Sequence, residues 1–74
     1  MIAELNARRA EYREAYVKAK RSQRHFAYYR SLWLLHGVTR QPMQFWDDEL
    51  SHWLNECRLR KPRYRAALRA VKEA

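Results

Sequence analysis

Over residues 42–60 the apolar positions keep helical spacing. Met43, Trp46, Leu50, Trp53 and Cys57 recur at steps of three, four, three and four, and Leu54 widens the seam. The spacing predicts an amphipathic helix over about residues 42–60 with two tryptophans on one face, which need a partner surface. Pro42 suits its first turn, where a missing N–H loses no hydrogen bond. Asp47, Asp48 and Glu49 near its start and Arg58, Arg60 and Lys61 near its exit suit the helix dipole. Pro62 predicts its end, because the residue before a proline resists helical geometry.

Residues 2–36 contain neither glycine nor proline and predict one long helix. Leu5, Tyr12, Ala19, Phe26 and Trp33 recur at seven-residue steps, with Ile2, Tyr16 and Tyr29 beside them. Arg8, Ser22 and His36 stand where a coiled coil would carry apolar residues, so packing within a helical bundle is expected. Glu4 with Arg8 and Glu14 with Lys18 form favourable pairs one turn apart. From Phe26 to Leu35 only Arg30 and Ser31 interrupt an otherwise apolar helix. A segment apolar all round implies cover from outside so small a chain. A homodimer joined around Tyr28, Leu32 and Leu35 is therefore expected, with Trp46 as a further candidate partner contact.

Gly37, the only glycine, is expected to end the first helix in the left-handed region with Val38 folding back. Thr39 or Gln41 would cap the next helix; the sequence does not choose between them. Beyond Pro62, the stripe of Tyr64, Ala67, Leu68 and Val71 predicts a short third helix over about residues 63–72. The alternative is a mobile basic tail over residues 61–74. No alternating apolar run marks a strand. The expected fold is all-α, one small domain over residues 1–74. It is an antiparallel helical hairpin plus a short C-terminal helix, with the tyrosines and Trp33 packed on Trp46, Leu50, Trp53 and Leu54.

At 74 residues the chain builds a modest core that is marginal without help. Cys57 is the only cysteine, so no intrachain disulfide forms, and on an apolar seam it reads as a small hydrophobe. His25, His36 and His52 lack zinc-ligand spacing, and a single glycine cannot build a phosphate-cradling loop, so no metal or cofactor is expected. The acidic triple at residues 47–49 either caps its own helix or pairs with basic residues of the first helix or of a second subunit. Asp47 and Asp48 point in different directions. Asp48 and His52 are one turn apart on a face that reads as exposed, so no enzyme is expected. The start of the chain, with Glu4, Arg8 and Arg9, is not a signal peptide, and no apolar run reaches the length of a membrane span. A cytoplasmic location is expected.

The net charge of +8 changes this picture, because it is segregated. Residues 1–36 carry eight basic and three acidic side chains, residues 37–57 one basic and four acidic, and residues 58–74 seven basic and one acidic. On the first helix Arg13, Lys20, Arg21 and Arg24 project away from the seam. The denser cluster is Arg58, Arg60, Lys61, Arg63, Arg65, Arg69 and Lys72, interleaved with Tyr64. Such patches imply nucleic acid, DNA or RNA, held mainly through backbone phosphates by a small accessory protein. The alternative is an adaptor or inhibitor that docks on an acidic partner protein through aromatic and basic surfaces. A basic helix lying on an anionic membrane is a third reading. Trp53, Leu54, Asn55, Glu56, Cys57, Arg58 and Leu59, followed by Pro62, resemble part of the recognition helix of phage excisionases. The family's strands and wing have no counterpart in this sequence, so no site residue is carried over.

Overall fold

The computed structural model describes residues 2–37 and 40–74, which form two helices, α1 (Ile2–His36) and α2 (Arg40–Glu73). They lie antiparallel in a hairpin with extents of 57 × 13 × 13 Å. Four contacts set the register from the turn outward: His25 with Trp46, Lys18 with Trp53, Glu14 with Arg60, and Tyr12 with Tyr64. The all-α hairpin matches the expectation from spacing.

The third helix does not exist as a separate element. α2 runs unbroken to Glu73 with Pro62 inside it. The reason is phase. Met43, Trp46, Leu50, Trp53 and Cys57 continue through Arg60 to Tyr64, Ala67 and Val71 in the same alternation of three and four, and all are half-buried. Pro62 falls on the opposite, exposed face. The Arg58 carbonyl that loses its N–H partner is therefore open to water, and packing on both sides of the proline holds the helix together.

On α1 the facing residues are Leu5, Arg8, Tyr12, Ala15, Ala19, Ser22, Phe26 and Tyr29, again in steps of three and four. Three of the four buried positions among the described residues are small: Ala15 is 0% exposed, Ser22 2% and Ala19 6%, with Leu5 the fourth at 6%. Small side chains let the half-buried Trp46 and Trp53 of α2 lie close over α1. Ser22, a polar residue at a seam position, is satisfied locally, its Oγ donating to the Lys18 carbonyl at 2.8 Å. Arg8 keeps its seam position by pairing with Glu4 and Glu11.

Among the described residues, no large side chain is fully buried. Two helices cover one face of each other, so the aromatic residues all keep a wet side. The expected tyrosine and Trp33 packing is accordingly redistributed. Trp46 stacks on His25 at 4.3 Å, Tyr12 stacks on Tyr64 at 5.9 Å, and Trp33, Tyr16, Ile2 and Leu54 are exposed.

Gly37 has φ of 67° and donates its N–H to the Trp33 carbonyl at 2.8 Å. That is the left-handed cap that the lone glycine predicts. The expected Val38 contact and Thr39 cap lie outside the described residues. α2 starts at Arg40, two residues before the expected start at Pro42. Pro42 is its third residue, still among the positions whose N–H has no helical acceptor. Among the described residues, no helix is long and apolar enough to cross a membrane.

Candidate nucleic-acid interface

An unbroken α2 gives its arginines a fixed phase. Arg58, Lys61, Arg65, Arg69 and Lys72 follow at steps of three, four, four and three, and all are exposed. At 1.5 Å per residue they extend along about 21 Å of helix. Arg58, Lys61, Arg65 and Arg69 line one shallow groove with Pro62, and Arg65, Leu68, Arg69 and Lys72 continue it. No carboxylate is among these lining residues. Arg58 is steadied by Asn55, whose Oδ1 accepts from its Nη2 at 2.8 Å.

Four of the eight carboxylates are gathered on another flank. Glu4, Glu11, Glu14 and Glu56 pair with Arg8, Lys18 and Arg60 along one flank of the hairpin. Arg60 belongs to that network and not to the outer stripe. Its Nε donates to Glu56 at 3.0 Å, and its Nη1 donates to the Glu11 carbonyl at 2.8 Å and lies 3.8 Å from Glu14. The guanidinium also sits 5.7 Å from the Trp53 ring centre. Arg63 is exposed but does not line the groove.

The basic residues expected as one stripe on α1 are all exposed but divided. Arg13 stands with Arg9 beside Tyr12, Tyr16 and Tyr64. Lys20 lies on the same flank, its Nζ 5.7 Å from the Tyr16 ring. Arg21 lies on the other flank, with Lys18, Trp46 and Trp53. Arg24 is exposed on α1.

Of the expected partner contacts, Tyr28 and Leu35 are 59% and 75% exposed, and Leu34 and Phe45 are exposed as well. Leu32 and Trp46 are half-buried, and Trp46 gives one face to His25. In the acidic triple, Glu49 accepts from Trp53 Nε1 at 3.1 Å and Asp48 accepts from Gln44 at 3.2 Å. Burial pushes the Cys57 thiol up from its ordinary range, and the nearby Arg60 charge partly opposes this.

Sequence reading missed a further feature, a cleft of about 310 Å³ on the flank away from the ion pairs, between Tyr12, Tyr16 and Ala19 of α1 and Leu50, Leu54 and Cys57 of α2. Its signal lies in the sequence: Leu54 sits one step to the side of the seam residues Leu50 and Cys57, as Tyr16 does beside Tyr12 and Ala19. Among the described residues, no three His, Cys, Asp or Glu side chains gather to hold a metal ion. No protein-family model matches the chain, and neither curated proteins nor solved structures include a match to it.

Proposed function

We propose that this chain is a small basic accessory protein that binds nucleic acid through backbone phosphates, with the outer face of α2 as the contact surface. One observation carries the reading: Arg58, Lys61, Arg65, Arg69 and Lys72 share one helix face whose grooves have no carboxylate in their lining. Lys and Arg in such a row displace counterions condensed on the phosphates, which favours binding without reference to sequence. The row's length of about 21 Å corresponds to roughly six base steps of a duplex at 3.4 Å each. A homodimer joined through the exposed turn end is part of the proposal, since two stripes on one particle raise the effective concentration of the second.

The test is binding of a labelled mixed-sequence duplex, and of a single-stranded RNA, as salt is raised. Five phosphate contacts give a log–log slope of about −4.5 on duplex, or a loss of about 500-fold between 50 and 200 mM salt. Changing Arg58, Arg65 and Arg69 together to Gln leaves two contacts, a slope of about −1.8 and a loss of about 12-fold. Absence of binding to either nucleic acid at low salt, or a triple variant with the wild-type slope, would overturn the proposal.

A further inference from the structure

We infer that the cleft between Tyr12, Tyr16 and Ala19 of α1 and Leu50, Leu54 and Cys57 of α2 is a docking groove for an acidic amphipathic helix of a partner protein. The groove adjoins the phosphate stripe, Leu54 standing one turn before Arg58 on α2, but none of its lining residues belongs to the stripe, and it does not rest on that reading.

Shape is the first argument. The floor is apolar, and two large side chains stand up from it, Tyr16 at 50% and Leu54 at 54% exposure. A second depression of about 340 Å³ continues it toward the open end, between Arg9, Tyr12, Arg13, Tyr16 and Tyr64. From Gln23 to Arg9 the two depressions follow about 21 Å of α1. That is roughly four helical turns, enough to receive anchors at i, i+4, i+7 and i+11 of a helix laid in the groove.

Charge is the second argument, and it selects the occupant. Arg9, Arg13 and Lys20 rim the groove, and no carboxylate is among the residues lining either depression. Arg9 and Lys20 rest over tyrosine rings, 6.0 Å from Tyr64 and 5.7 Å from Tyr16. On the opposite flank, Arg8, Lys18 and Arg60 are matched with glutamates of the same chain. One flank thus carries mostly cations matched by glutamates of the same chain, and the groove's flank carries cations with no carboxylate in its lining. A second copy seated in this groove through the same surface would bring Arg9, Arg13 and Lys20 again and no carboxylate from the lining. Juxtaposing like charges disfavours that pairing. A nucleic acid would meet the cations but supply no side chain for the space between Tyr16 and Leu54. A helix with leucines on one face and glutamates along its edges answers both features.

The experiment uses two synthetic helical peptides with the same leucine face, one with glutamates on the flanking positions and one with lysines. Binding is measured by anisotropy and by protection of Cys57, the only thiol, from a disulfide reagent. The glutamate peptide should bind and slow the Cys57 reaction by about tenfold or more, and the lysine peptide should do neither. Leu54→Asp, at an exposed position, should abolish binding with the far-ultraviolet spectrum unchanged. Arg13→Glu with Lys20→Glu should reverse the preference toward the lysine peptide, which keeps the test decisive if Leu54→Asp fails to fold. Four results would overturn the inference: no binding of the glutamate peptide, equal binding of both peptides, binding of a short duplex that Leu54→Ala abolishes, or a wild-type dimer that Leu54→Asp dissolves.

Discussion

Replacing Arg60 by Met keeps much of the side chain's volume and removes its polar head. The structure predicts lost stability with phosphate binding intact. Arg60 donates to Glu56 at 3.0 Å and to the Glu11 carbonyl at 2.8 Å, with Glu14 at 3.8 Å. The Glu11 carbonyl also accepts a helical hydrogen bond, so it is not orphaned by the change. An interhelical hydrogen bond from a charged donor contributes about 1.5–3 kcal/mol, and the pair one turn away at Glu56 about 0.3–0.5 kcal/mol. Arg60 is 21% exposed, but Glu14 is 51% exposed, which places the total toward the low end. A loss of about 2 kcal/mol lowers the melting temperature by roughly 8–16 °C for a domain this small. The assay is thermal unfolding followed by circular dichroism, paired with the salt dependence of duplex binding at a temperature where the variant is folded. The slope should equal the wild type's, because Arg60 faces α1. A melting temperature that barely moves, together with a slope shallower by about 0.9, would instead mark Arg60 as a phosphate contact and refute the reasoning. Arg60→Lys should recover only part of the stability, since an ammonium cannot reproduce the fork that reaches Glu56 and the Glu11 carbonyl together.

Pro62→Ala should raise the urea midpoint by the equivalent of about 1–2 kcal/mol, since it restores an N–H to the Arg58 carbonyl at an exposed helical position. The rigid proline's smaller unfolded-state entropy offsets part of the gain; no gain would mean that the helix is not continuous there. Alkylation of Cys57 against pH should show a midpoint above the ordinary thiol value of 9.0, and Arg60→Met should move it further up by removing the cation that opposes burial. Because the folded value is raised, the neutral thiol's contribution to stability is complete below that ordinary value and is lost as pH rises through the folded one. Wild type should therefore lose stability faster than Cys57→Ala in alkali. Leu35→Glu, at a position 75% exposed, should convert a concentration-dependent dimer to a monomer in sedimentation; a monomeric wild type would remove the homodimer from the proposal.

The seam of α2 was legible as far as Cys57 because each of its positions carries an apolar side chain. It became invisible at Arg60, where a guanidinium takes an apolar residue's place and finds its partners on the other helix. Pro62 then read as a terminator, since a local rule about proline cannot see that Tyr64, Ala67 and Val71 stay in phase with Cys57. The same limit applied on α1. Arg8 and Ser22 looked like gaps in a heptad, yet each is satisfied by a neighbour within about a turn. The basic cluster after Arg58 was plain from composition. Which arginines share a face was not, because a break at Pro62 leaves Arg58 and Arg65 with no fixed relation. Continuity of the helix separates the outer row from Arg60. The cleft at Tyr16 and Leu54 lay hidden because both sit one step from the seam, where spacing alone cannot distinguish a core residue from the lip of a groove.

The register of the hairpin also orders its assembly. Of the four contacts that set it, His25 and Trp46 close the shortest loop, Lys18 and Trp53 the next, Glu14 and Arg60 a longer one, and Tyr12 and Tyr64 the longest. Once the first of these four contacts exists, each later one adds little further closure entropy, which favours zipping of the two helices from the turn outward. Substitutions around His25 and Trp46 should then slow folding, and those around Tyr12 and Tyr64 should mainly hasten unfolding. The arginines from Arg58 onward lie beside the last contacts to form and the first to open. A ligand held there acts as a clasp on the open end, lengthening the life of the folded hairpin without quickening its formation.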